Sequence, residues 1–110
     1  MDDLYHFDLY QDAAETTAIY PNKGDNLYYP ALGLAGEAGE VCEKIKKIMR
    51  DQKGFLTDEN EDEIAKELGD VLWYVANEIN RNLSEIAEVN LQKLEDRKNR
   101  GKLQGSGDNR

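Results

Sequence analysis

The sequence predicts an all-α fold, an antiparallel four-helix bundle. Three observations carry this. Apolar residues recur at a period near 3.6 in successive segments. No segment alternates polar and apolar residues as a half-buried strand would. The breaks between segments are short, which favours antiparallel neighbours. The chain has 110 residues, enough for one domain. Residues 1–100 form that single helical domain, and residues 101–110 read as a flexible basic tail or lid. A domain this small buries a limited core and gains from oligomerisation.

The first helix is expected over residues 3–20, on the spacing of Leu4, Phe7, Gln11, Ala14 and Ala18. Asp3 is placed to cap its start, and Pro21 ends it, because the residue before proline is driven out of the helical region. Residues 22–30 form a loop containing Gly24, Leu27, Tyr28 and Tyr29. The second helix covers 31–50, with Leu34, Ala38, Val41, Ile45 and Ile48 as its stripe. Asp51 to Gly54 closes it. The third covers 58–81, with Asp58 and Glu61 arranged as a capping box. Its stripe is Ile64, Leu68, Val71, Val75 and Ile79. The fourth starts at Ser84, a capping residue, and runs to about Arg100. Gly101 to Arg110 contains three glycines and no apolar period.

Composition excludes several function classes. The formal net charge is −9, which makes the chain a poor nucleic-acid binder. No apolar run approaches the ~18 residues of a membrane span. The acidic start Met1-Asp2-Asp3 is unlike a signal peptide. Cys42 is the sole cysteine, so no intrachain disulfide forms, and a reducing cytoplasm is the expected compartment. Charge is uneven along the chain. Residues 93–110 carry six basic side chains against three acidic ones. The plainer reading of that basic end is complementarity to a helix dipole.

Within the acidic remainder, Glu37-Ala-Gly-Glu40-Val recurs as Glu67-Leu-Gly-Asp70-Val. Each block sets two acids at i, i+3, on one helical face. If the two helices cross in matched register, four carboxylates converge. Such a cluster needs raised pKa values or a cation. An all-oxygen donor set favours Mg²⁺, with Mn²⁺ as a substitute, over zinc. His6, the only histidine, lies outside the cluster, and no Glu-x-x-His motif supports a di-iron site. The competing reading is a solvated acidic face, but two copies in register argue against it. Gly39 and Gly69 cost about 1 kcal/mol each inside helices, and are expected to let the two backbones approach closely. Glu43 and Glu63 extend the acidic rows, and Glu40 or Glu43 is positioned to act as a base.

On the fourth helix, Asn90, Lys93 and Arg97 share a face, suited to holding phosphate oxygens. Alone it would read as an ordinary polar face. Beside a carboxylate metal site it reads as a phosphate contact. Phe7, Tyr28 and Trp73 are candidates for stacking on a base, although for each of them core or subunit packing is the commoner role.

These residues resemble the MazG-like nucleoside triphosphate pyrophosphohydrolases, of the all-α NTP pyrophosphatase superfamily. The resemblance rests on Glu37-x-x-Glu40, a spacer of 26 residues, and Glu67-x-x-Asp70. It extends through Asn90-Leu-Gln-Lys93-Leu-x-x-Arg97, and the ending Gly105-Ser-Gly-Asp-Asn-Arg110 is similar to that of a short, phage-like subset. It implies Mg²⁺-dependent cleavage between the α and β phosphates, giving a monophosphate and pyrophosphate. It implies Glu37, Glu40, Glu67 and Asp70 as metal ligands, Asn90, Lys93 and Arg97 as phosphate contacts, and a homodimer or homotetramer. For a phage-encoded chain the compartment would be the host cytoplasm, and the substrate a purine deoxynucleotide such as dGTP. Ala38 departs from the fuller pattern, which has a second adjacent acid, and this leaves the general base open between Glu40 and Glu43. The alternatives are a dUTP, dCTP or phosphoribosyl-ATP pyrophosphohydrolase, or a non-catalytic acidic interaction module.

Overall fold

In the computed structural model, which describes residues 4–110, four helices follow one another and no strand occurs among the described residues. They are α1 (Tyr5–Glu15), α2 (Tyr28–Gln52), α3 (Asp58–Asn77) and α4 (Leu83–Asn99). The all-α prediction holds, and the boundaries shift. The proposed cap Asp3 lies outside the described residues. The chain divides into two units, one spanning Ala13–Asn80 and the other joining the start of α1, to Asp12, with Arg81–Arg110.

In the first unit, α1 stops at Glu15, five residues before the expected end. Thr16 and Thr17 donate their hydroxyls to the carbonyls of Ala13 and Ala14 (2.6 and 2.7 Å). These side chains satisfy the orphan carbonyls and so compete with further helix. Conversely, α2 starts at Tyr28, inside the expected loop. Pro30 falls in its first turn, where the missing N–H costs no hydrogen bond. Asn26 supplies a partner there by accepting from the Tyr29 N–H at 3.1 Å. The α3 cap is also one residue earlier than expected. Thr57 and Asn60, not Asp58 and Glu61, form the reciprocal capping box.

Helices α2 and α3 run antiparallel. Gly33 lies opposite Tyr74, Lys44 pairs with Glu63 at 3.3 Å, and Gln52 donates to Asn60 at 2.8 Å. As one index rises the other falls, which defines the register. Ile48, Ala76 and Pro30 are buried in this unit, as are Ala14 and Ala18. An aromatic wall flanks them. The rings of Tyr20 and Tyr29 stack at 4.7 Å, and Trp73 meets Tyr74 edge-on at 4.9 Å.

The close approach expected at Gly39 and Gly69 is not there. A Cβ added at either would meet nothing within 4 Å. The position that does require glycine is Gly33, where an added Cβ would overlap the Tyr74 ring.

In the second unit, α1 caps α4. Asp8 accepts from the Ser84 N–H and hydroxyl (3.0 and 2.7 Å), and Gln11 accepts from the Leu83 N–H (2.9 Å). Ser84 therefore lies inside α4, whose cap position is Asn82. At the other end, the Gly101 N–H donates to the Lys98 carbonyl and the Lys102 N–H to the Arg97 carbonyl. With Gly101 at φ 68°, this is a Schellman ending. The chain then turns back onto α4. Arg110 closes the loop by donating to the carbonyls of Lys102, Leu103 and Gly107. Asp108 accepts from Lys93 Nζ at 3.1 Å and Arg97 Nη2 at 3.2 Å.

Two predictions follow from these packings. Gly33→Ala should destabilise the fold by about 1–3 kcal/mol, the usual cost of overpacking. In a Tyr74→Ala background the same change should cost much less. Denaturant unfolding of the four-member cycle reads the coupling, and independent effects would contradict the contact. The second concerns pH. Hydrogen bonds from Lys93 and then Arg97 hold the Asp108 carboxyl below its ordinary range. A lowered carboxyl pKa gives a link complete above the unfolded value, roughly 3.9, and lost as pH falls through the folded one. A ¹³C titration should therefore place Asp108 below the range of ordinary aspartates, and Lys93→Ala should move it up.

Candidate metal and nucleotide site

The antiparallel register brings one acid of α2 against two of α3. One oxygen each of Glu37, Glu67 and Asp70 lies within 4.8 Å of the others. Glu37 and Glu67 are half-buried and Asp70 is exposed. The i, i+3 spacing puts Glu67 and Asp70 on one face of α3. The cross-helix register then places Glu37 opposite them.

The electrostatics match the crowding. The Glu37 carboxyl is pushed up by burial first, then by the Asp70 charge, by a hydrogen bond with Glu67 and by the charges of Glu67 and Glu40. Every charged neighbour named is negative. Like charges held this closely share protons or attract a cation. Three hard oxygen donors with open space beside them suit a divalent ion such as Mg²⁺. The donor set therefore fits the metal that the sequence pattern implies.

Glu40 contributes its charge to Glu37 but stands outside the group of three. Glu43 is also outside that group. It pairs with Lys46 at 3.1 Å, and that lysine holds its carboxyl below the ordinary range. Glu63, which extends the acidic row of α3, is engaged by Lys44 at 3.3 Å.

A pocket of about 340 Å³ opens beside the acids, lined by Thr17, Glu37, Asp70, Trp73 and Tyr74. This volume falls within the roughly 300–1,000 Å³ of small-molecule sites. The Thr17 hydroxyl accepts from Trp73 Nε1 at 2.8 Å, which fixes the indole plane. Burial, then Tyr29, Glu37 and Asp70, push the pKa of the Tyr74 hydroxyl above its ordinary value. It remains a neutral donor next to carboxylates. Of the three aromatic candidates, Trp73 lines this pocket. Tyr28 is exposed on the first turn of α2 and does not line it. Phe7, exposed, belongs to the other unit.

Sequence reasoning missed Thr17. Its signal was weak, a threonine near the end of a helix with its partner 56 residues away. It also missed Asp108, which lies in a glycine-rich stretch without periodicity.

In the second unit, Asn90 is exposed, Lys93 half-buried and Arg97 only 4 % exposed. The Arg97 guanidinium also donates to the Asp108 carbonyl at 2.9 Å. The row of cations is therefore present on α4, with the end of the chain folded against it.

Residues 30–101 match the model of the MazG nucleotide pyrophosphohydrolase domain. The stretch contains both acidic pairs and the Asn90, Lys93 and Arg97 face. The chain is also 53 % identical over 113 residues to "Gene 37 protein" of Mycobacterium phage L5, covering 96 % of this chain and 99 % of that one. No solved structure matches. With two thirds of its length inside the domain model and a near full-length phage relative, the chain belongs to the MazG nucleotide pyrophosphohydrolase family.

Proposed function

We propose that the protein hydrolyses nucleoside or deoxynucleoside triphosphates between the α and β phosphates, with Mg²⁺, releasing the monophosphate and pyrophosphate. The observation that carries this is the convergence of Glu37, Glu67 and Asp70 beside a pocket with an aromatic wall. Family membership supports the reaction class. A purine deoxynucleotide such as dGTP is the substrate that the likeness to phage chains favours. A phage relative also fits action in the host cytoplasm. Among the described residues no helix is long and apolar enough to cross a membrane.

In this reading Glu37, Glu67 and Asp70, together with Glu40, would hold the metal. A divalent ion there would supply neutralisation of phosphate charge and a more acidic water. Glu40 orients the attacking water. Glu43, the alternative, is engaged by Lys46, which holds its carboxyl below the ordinary range. In-line attack at the α phosphorus expels pyrophosphate. Trp73, its indole fixed by Thr17, and the Tyr74 hydroxyl offer the base or sugar a flat wall and a neutral donor. Charge and spacing support Asn90, Lys93 and Arg97 as phosphate contacts.

The reading includes a homodimer or a tetramer of two dimers. Large apolar side chains of α2 and α3 remain open in the single chain, with Leu32 73 % and Met49 68 % exposed and Leu68 and Leu72 also exposed. Apolar surface left open in this way supports an interaction surface. Sedimentation should give at least twice the 12.5 kDa of the chain. A concentration-independent monomer would contradict the assembly.

Incubation with each NTP and dNTP, with Mg²⁺ and with EDTA, tests the activity while monophosphate, diphosphate, phosphate and pyrophosphate are resolved. Pyrophosphate and monophosphate in equal amounts, lost with EDTA, are expected. No product from any triphosphate would leave only an acidic interaction module. Glu37→Gln, Asp70→Asn and Glu40→Gln should each lower kcat by about a hundredfold or more, as loss of a group acting on the transition state does. Glu43→Gln should stay within about threefold of wild type. The reverse order for Glu40 and Glu43 would exchange their roles.

A further inference from the structure

Arg97 and Asp108 form an unequal pair. The Arg97 side chain is 5 % exposed, and that of Asp108 is 81 % exposed. Asp108 therefore lies on the solvent side of the guanidinium, where an anion arriving from solution would approach. It also spans to Lys93, so one carboxylate oxygen serves both cations (3.1 and 3.2 Å). One anionic oxygen bridging an ammonium and a guanidinium is also how a phosphate oxygen would bind them.

The loop carrying Asp108 is built to hold it there. Arg110 ties the loop to itself through the carbonyls of Lys102, Leu103 and Gly107. Arg100 donates to the Arg110 carbonyl oxygen at 2.9 Å. The Asp108 backbone carbonyl accepts separately from Arg97 at 2.9 Å. The carboxylate can therefore turn outward about its own side-chain torsions while the main chain stays bonded to Arg97.

Resting on the reading of Lys93 and Arg97 as phosphate contacts, the structure assigns to Asp108 the role of a placeholder anion. Its carboxylate occupies the seat formed by the two cations and swings out when a ligand's phosphate takes them. The exchange favours the ligand, because a phosphate carries more charge and more acceptor oxygens than a carboxylate. Asp108 itself is exposed and its charge is screened by water, which lowers the cost of displacing it, while Arg97 never faces its buried site without an anion. The device screens ligands by charge. A nucleoside, or a weakly charged anion, cannot displace the carboxylate.

The test uses the full chain, with inorganic tripolyphosphate as the probe and EDTA present, so that metal-bridged binding does not contribute. Asp108→Ala and Asp108→Asn should each bind the probe about threefold to tenfold more tightly than wild type by calorimetry. Far-ultraviolet circular dichroism checks that both variants keep their helices. In the wild type, the ¹³C carboxyl signal of Asp108 should shift on adding tripolyphosphate and not on adding sucrose. Ser106→Ala, in the same loop, should bind as wild type does. If neither Asp108 variant gains affinity while Lys93→Ala loses it, the placeholder is wrong and the phosphate reading stands. If Lys93→Ala and Arg97→Lys both bind as wild type does, the phosphate seat itself is wrong and the placeholder falls with it.

Discussion

The repulsion held between α2 and α3 is the constraint on which the rest of the first unit depends. Glu37, Glu67 and Asp70 converge only because the two helices meet in one antiparallel register. That register is set by contacts at both ends of the pair. Tyr74 packs where Gly33 has no side chain, and Lys44 with Glu63 and Gln52 with Asn60 tie the far end. A slip of one residue would turn each acid about 100° around its helix and scatter the cluster. The glycine and the tyrosine thus act on the chemistry although neither is acidic. The cluster opposes folding to a small degree, since the raised pKa of Glu37 means that its charge is less welcome in the folded chain. A dication bound there would reverse that sign and would couple the stability of this helix pair to its ligand.

The acidic half of the site was legible in the sequence because it is local. Two acids three residues apart share a helical face in any helix, so each pair could be read without knowing the fold. Their meeting required the register, which the doubled block suggested through its matched phase. What the block did not reveal was which glycine mattered. Gly39 and Gly69 sit inside the motif, yet the surface around each is open. Gly33 sits outside it, and its partner Tyr74 is distant in sequence. A helix-interior glycine signals a cost, and nothing local says which neighbour requires it.

Caps show the same division. Thr57 and Asn60 were within one residue of the expected box, since neighbouring Thr, Asp and Glu all suit a helix start. The cap of α4 was not legible, because its acceptors, Asp8 and Gln11, come from α1, more than 70 residues earlier. The early end of α1 was visible only in part. Thr16 and Thr17 have hydroxyls able to take over the last carbonyls, but apolar spacing through Ala18 continued past them and concealed the stop.

The basic face of α4 adds a different lesson about charge. Spacing placed Asn90, Lys93 and Arg97 together, and periodicity alone would leave all three in water. Instead Arg97 is among the most buried side chains described. A guanidinium does not lose its charge on burial, because its pKa lies far above neutrality. Burial therefore demands an acceptor, and the fold supplies one from the end of the chain. The two units treat charge in opposite ways. The charges that act on Glu37 all come from acids, whereas Lys93 and Arg97 of α4 are matched by Asp108 and its carbonyl. An uncompensated cluster needs charge from outside. A compensated pair takes an outside anion only by exchange, at a cost set by how firmly the internal one is held.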